Sequence, residues 1–261
     1  MNRTRSSLGA LLLSALAVCA FGVANAPALT LHECKIGIGT GKHYTDATCS
    51  RENAEGAFAT EPVAGEPELE GTLTPTTAGA ELTIGETGGT HAVLHTTIAA
   101  IEVQITCSGF TTPSAKAKNG EAGEVMSVTG SGKWKFTGCS IVGSAKPKEN
   151  CQVPETLEFN EMSLTTEEDK IVFKPKEGTL FITIPFSSKP GKTCPAAILG
   201  EKALAGGAIK GAVASPTALE FTNTSGTSIT LGGAEAKFTA VIHYKTKSAA
   251  EGSGTVAFET P

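Results

Sequence analysis

The chain has 261 residues, a net charge of −5 and only 5% aromatic residues, with a mean hydropathy of +0.02. Its arginines are Arg3, Arg5 and Arg51. An acidic chain so poor in bidentate guanidinium forks is not built for nucleic acid or phospholigands, and with Asp46 and Asp169 as its only aspartates it lacks the clustered ligands of calcium loops.

Met1-Asn2-Arg3-Thr4-Arg5 is a basic start, and an apolar run from Leu8 to Val23 follows. That pairing reads as a secretory signal over residues 1–28, its apolar stretch being too short for a comfortable membrane span. Ala26-Pro27-Ala28 is the preferred cleavage site, because cutting after Ala24-Asn25-Ala26 would leave Pro27 first. Lipidation at Cys19 is disfavoured by the bulk of Val18 before it. Cleavage removes two positive charges and no carboxylate, so −5 becomes −7. No later apolar run is long enough for a transmembrane helix, and the mature chain is read as secreted, extracellular or attached to the cell surface. Losing Cys19 leaves Cys34, Cys49, Cys107, Cys139, Cys151 and Cys194, an even set that in an exported chain predicts three disulfides.

Residues 29–67 form a compact cysteine loop followed, from Arg51 to Pro67, by a polar run broken by Gly56, Pro62, Gly65 and Pro67. From residue 68 to 261 the pattern is strand after strand. Strands are predicted over Glu68–Pro75, Ala80–Ile84, Ala92–Thr97 and Ile101–Cys107. Glu124–Thr129 and Lys133–Cys139 then flank a Gly130-Ser131-Gly132 hairpin. Thr156–Thr165, Lys170–Lys174, Thr179–Phe186, Ile209–Val213, Ala218–Thr222, Ala236–Lys245 and Thr255–Glu259 complete the series. Alternation is clearest in Ile101–Cys107 and Leu180–Ile184. Pro195–Leu204 fits a short helix as well as a strand. Many short threonine- and valine-rich strands between turn residues predict an all-β, antiparallel sandwich or barrel-like domain.

Nearest-neighbour loop closure predicts Cys34–Cys49 and Cys139–Cys151. That leaves Cys107–Cys194 as a long bridge between the early and late halves of the domain.

Motifs for chemistry are weak throughout. Gly37–Lys42 has three residues between its glycines and His43 after its lysine, so it is not a phosphate loop. His32-Glu33 opens like a zinc-protease motif, but Ile36 stands where the second histidine belongs. His91 and His95 have helical zinc spacing in an extended context, which would hold the rings about 13 Å apart. No G-x-S-x-G or S-x-x-K occurs in the mature chain. The many glutamates permit a glycosidase-like pair without indicating one. Trp134, Tyr44 and Tyr244 are the candidates for a carbohydrate platform, and Trp134, between Lys133 and Lys135, reads as a core residue. No catalytic, cofactor-binding or metal site is assigned.

The run Glu33-Cys34, Gly39-Thr40-Gly41-Lys42-His43-Tyr44-Thr45-Asp46 and Cys49 resembles a motif of uncharacterised secreted β-rich proteins of soil actinobacteria. Phe136-Thr137-Gly138-Cys139 with Cys151, then Cys194 and Leu231–Ala236, extend the likeness over most of the mature chain. The resemblance implies a bacterial exported protein with a β-rich fold and implies no activity. The function expected is therefore a non-enzymatic extracellular or cell-surface module, structural or adhesive, with cell wall or extracellular glycan as the candidate partner. The alternative is a secreted hydrolase or carbohydrate-binding protein.

Overall fold

The computed structural model describes residues 29–37, 42–47, 49, 51–73, 91–120, 128–143, 145–167, 170–215, 218–222, 229–246 and 256–259. The segment 1–28 expected to be a signal, with Cys19, the strand expected at Ala80–Ile84 and the middle of the Gly37–Lys42 loop lie outside these residues.

The chain is all-β. Its first strands are β1 (Thr30–Ile36), β2 (His43–Tyr44), β3 (Phe58–Pro62), β4 (Glu68–Leu73), β5 (Ala92–Ile98), β6 (Ile101–Thr111) and β7 (Ala115–Asn119). Next come β8 (Val128–Gly132), β9 (Lys135–Val142), a short helix α1 (Ala145–Asn150), β10 (Cys151–Gln152), β11 (Thr156–Glu158) and β12 (Met162–Glu167). The rest are β13 (Lys170–Pro175), β14 (Leu180–Ser188), β15 (Gly200–Gly206), β16 (Ile209–Ser215), β17 (Ala218–Thr222), β18 (Ile229–Leu231), β19 (Ala234–Thr246) and β20 (Val256–Glu259).

Eight antiparallel strands close into a barrel in the order β4-β7-β8-β12-β13-β16-β17-β19, and β19 returns to β4 through Ile242↔Leu73 to Thr246↔Leu69. Closure leaves the ring without an edge strand, the exposed feature that sheet proteins must otherwise protect. Strand β19 is long because it serves two structures. Its second half belongs to the barrel, pairing with β17 and β4. Its first half pairs with β5 through Ala236↔Thr96 to Thr239↔Val93 and with β18 through Thr230↔Glu235. From there further strands extend in both directions, as β5-β6-β9-β11 on one side and β18-β15-β14-β10 on the other, forming a second sheet.

Three local expectations need correction. Gly130-Ser131-Gly132 is not a hairpin turn; it lies within β8, which pairs with β7 and β12, whereas β9 pairs with β6 and β11. Lys133-Trp134 is instead the crossover from barrel to second sheet. Thr156–Thr165 divides into β11 and β12 because the chain leaves one sheet and enters the other there. Pro195–Leu199 is a turn in which Ile198 and Leu199 N–H both donate to the Pro195 carbonyl, and β15 starts at Gly200.

The cysteine loop and the polar run after it also contribute strands. A four-stranded sheet in the order β2-β3-β1-β20 brings the last strand beside the first. Cys34, Tyr44 and Cys49 form its small core with Phe58 against them. Leu29, Leu31 and Val63 instead join the main core.

Candidate functional site

The six cysteines among the described residues form three disulfides. Cys34–Cys49 is as expected, with a Cα–Cα distance of 5.9 Å. The other two pairs correct the nearest-neighbour scheme: they are Cys107–Cys139 and Cys151–Cys194, with Cα–Cα distances of 4.0 and 4.9 Å. Loop closure is not what decides them. Cys107 and Cys139 stand opposite one another in the β6–β9 register, so sheet pairing has already brought them together. After Val142 the chain turns away through α1, and Cys151 enters beside the end of β14, opposite Ser188. The Ser188 hydroxyl accepts from the Cys194 N–H at 3.0 Å, folding the 189–194 turn back onto Cys151. One signal was available in the sequence: Cys107 alternates in phase with Val103 and Ile105, and Cys139 with Ile141, all of them buried. Two cysteines on the inward phase of separate strands fit a cross-strand bridge.

Trp134 is 2% exposed and is the centre of the aromatic core. Its indole lies 4.7–5.9 Å between ring centroids from Phe173, Phe221, Phe110, Phe238 and Phe159, and 6.1 Å from Phe136. These rings come from both sheets, so the crossover tryptophan joins the barrel to the second sheet. Space for them is made by glycine. A Cβ on Gly71 would sit 2.6 Å from the Phe110 ring, and one on Gly211 would sit 2.8 Å from the Phe221 ring. Tyr44 and Tyr244, the other candidate platform residues, are each 3% exposed. None of the three offers a face to a sugar.

A cavity of about 20 Å³ lies inside the barrel, its lining including Leu69, Trp134, Met162 and Tyr244 together with the polar residues Lys116 and Ser131. Its lining includes neither a carboxylate nor an imidazole. Burial pushes the Tyr244 phenol well above its ordinary pKa, an effect only partly offset by the Trp134 indole N–H. The Tyr244 hydroxyl has no partner of hydrogen-bonding geometry.

The histidines are placed apart from any such pocket. His95 lies in β5, opposite Lys237 and Gln104, and its Nε2 is 2.9 Å from Glu102 Oε1 on a half-exposed sheet face. His91 stands just before the same strand. His243 lies half-buried on β19, where desolvation lowers its pKa. Among the described residues no three His, Cys, Asp or Glu side chains gather at metal-binding distance.

The exposed strand positions carry lysine–glutamate pairs. Glu167 accepts from Lys174 and Lys210, both at 2.8 Å, and these hydrogen bonds, Lys174's first, hold its carboxyl down to about 2. Lys245 and Glu70, opposite one another in β19 and β4, are 3.2 Å apart. Glu33 raises the Lys35 pKa, chiefly by accepting its hydrogen bond, against the opposing effect of burial. Charged pairs around an aromatic-filled barrel are the reverse of a membrane barrel, whose apolar band faces lipid and whose interior is polar. Among the described residues no helix is long and apolar enough to cross a membrane.

Asn119, which carries no motif in the sequence, ties the small sheet to the barrel. Its Oδ1 accepts from the Leu31 N–H at 2.7 Å, and its Nδ2 donates to the Leu31 and Val63 carbonyls at 2.9 and 3.3 Å. Thr246 on β19 adds a second tie by donating to Glu33 on β1.

Comparison with protein-family models, curated proteins and solved structures finds no match to any of them. The fold and its bridges define the class: an all-β protein built on a closed eight-strand barrel and braced by three disulfides.

Proposed function

We propose that this is a bacterial exported protein, cleaved after Ala28, acting outside the cell as a non-enzymatic structural or adhesive module. The observation that carries the reading is the use made of its cysteines: all six of residues 34–194 are paired in disulfides. Such bonds persist in oxidising compartments and are reduced in the cytosol of most cells. The basic, apolar N-terminus and the resemblance to secreted actinobacterial proteins support the same placement.

The non-enzymatic part rests on how reactive and recognition groups are spent. Trp134, Tyr44 and Tyr244 are packed in cores, and His95 and Glu102 pair on an open strand face rather than across a cleft. A secreted hydrolase would need a concave site joining glutamate to histidine or an aromatic, and the barrel cavity has no acidic group. The surface chemistry suits contact with cell wall or extracellular glycan through hydroxyl, lysine and glutamate side chains.

The purified mature protein should be retained by isolated cell walls or bind glycans on an array, and should release no product from them. Turnover of any wall polymer would overturn the non-enzymatic reading. In gel shifts, the net charge of −7 and single remaining arginine predict no salt-sensitive binding to DNA or RNA. Submicromolar binding that falls steeply with salt would overturn that reading.

A further inference from the structure

Asn119 ends β7 and is followed by Gly120, the one place in the chain where glycine follows asparagine. Both residues are half-buried. An asparagine amide before glycine is open to attack from its own main chain, because glycine has no Cβ to hinder the approach and adopts many backbone conformations. The Gly120 nitrogen bonds to Asn119 Cγ, the bond from Cγ to Nδ2 breaks, and the departing nitrogen takes up a proton in place of the one Gly120 gives up, leaving as ammonia. Water then opens the five-membered imide at either carbonyl, which yields aspartate or isoaspartate.

The fold opposes this reaction in two ways. The amide is held at both ends, its Oδ1 by the Leu31 N–H at 2.7 Å and its Nδ2 by the Leu31 and Val63 carbonyls at 2.9 and 3.3 Å. Asn119 is also paired with Val128 in the β7–β8 ladder, and closing the imide ring requires its backbone to leave the extended form. The first restraint is released when the small sheet parts from β7, a local opening that needs no unfolding of the barrel. The side chain that docks the small sheet is therefore the one that the docked sheet protects.

We propose that Asn119 is a site of self-deamidation, gated by undocking of the small sheet and holding that sheet undocked once the reaction has run. At neutral pH the product has no side-chain N–H for the Leu31 and Val63 carbonyls, and its new negative charge faces both of them. Isoaspartate in addition lengthens the main chain by one carbon where β7 ends. Because the chemistry does not reverse, each opening carries a chance of permanent loss of the contact.

The test follows Asn119 by peptide mapping with isoaspartate detection in the mature protein, disulfides intact, in buffer and in unfolding urea. Conversion should be fast in the unfolded chain, strongly slowed there by Gly120→Ala, and at least about 30-fold slower in the folded protein, where several bonds must part first. Thr246→Val removes the second tie, to Glu33, without touching Asn119, and should speed conversion in the folded protein by about fivefold or more. Gly211→Ala, which strains the barrel at Phe221 away from the small sheet, should leave the rate unchanged. The deamidated form, separated by its extra negative charge, should have a lower urea midpoint than the parent. Equal rates in the folded and unfolded chains, an unchanged rate in Thr246→Val, equal acceleration by Gly211→Ala, or an unchanged midpoint after deamidation would each overturn the proposal.

Discussion

Replacing Asn119 with alanine should loosen the small N-terminal sheet from the barrel. Leu31 is fully buried, and the asparagine amide stands between its N–H and the Val63 carbonyl like an inserted rung of the ladder. Alanine leaves that N–H without its partner, a loss of about 1–3 kcal/mol for a buried donor. The Leu31 carbonyl keeps the Val63 N–H at 2.9 Å, so the two bonds donated by Nδ2 add only about 0.5–1 kcal/mol each. Since Asn119 is itself half-buried, water recovers some of this. We expect a net loss of about 2–3 kcal/mol, measured as a lower urea midpoint with Trp134 fluorescence as the probe. Asn119→Asp is the control. It keeps an acceptor for Leu31 but turns a second oxygen towards two carbonyls, so at pH 7 it should be at least as damaging. Protonation restores a donor, so Asn119→Asp should recover part of its stability as pH falls through the range of that carboxyl. Losses below 0.5 kcal/mol (roughly the scatter of ordinary surface changes) for both variants would refute the reasoning.

The remaining predictions concern a turn, a close approach and a titration. Ala99 and Ala100 join β5 to β6 with φ of 48° and 64°, a left-handed pair that asparagine and glycine adopt far more readily. The double change Ala99→Asn with Ala100→Gly should therefore stabilise by about 1 kcal/mol in thermal melts, and Ala100→Val should do the reverse. Gly211→Ala should cost about 1–3 kcal/mol, because its new methyl group would collide with the Phe221 ring. His243 has a lowered folded pKa, so below its ordinary 6.5 the unfolded chain takes up the proton first. Stability should consequently fall as pH drops from neutral through that value towards the lower folded pKa, and His243→Gln should flatten the dependence in urea melts.

Much of the architecture was legible because half-buried strands alternate. Ala218–Thr222 and the body of β19 were readable from that period alone, and Trp134 could be assigned to the core. Which of the two expected architectures, sandwich or barrel, the strands build was not legible, since closure depends on β19 meeting β4, strands far apart in sequence. Strands β1 and β3 were hidden in a cysteine loop and a glycine- and proline-broken run, where turn residues outweigh the short apolar phase. β7, with Lys-Ala-Lys and a single buried alanine facing Gly130 across the register, carries almost no hydrophobic pattern. The disulfide pairing failed for a related reason: chain proximity was weighed, while sheet register decided it. Asn119 acts through contacts made only in the fold and belongs to no motif.

The central claim is a disulfide-braced barrel outside the cell, and non-reducing peptide mapping of protein recovered from the growth medium and cell surface tests it most directly. With thiols alkylated at harvest, the account predicts a first residue of Leu29, no free cysteine, and linked peptides containing Cys34–Cys49, Cys107–Cys139 and Cys151–Cys194. Full-length chain confined to the cytosol with alkylated cysteines, or a peptide joining Cys139 to Cys151, would contradict it.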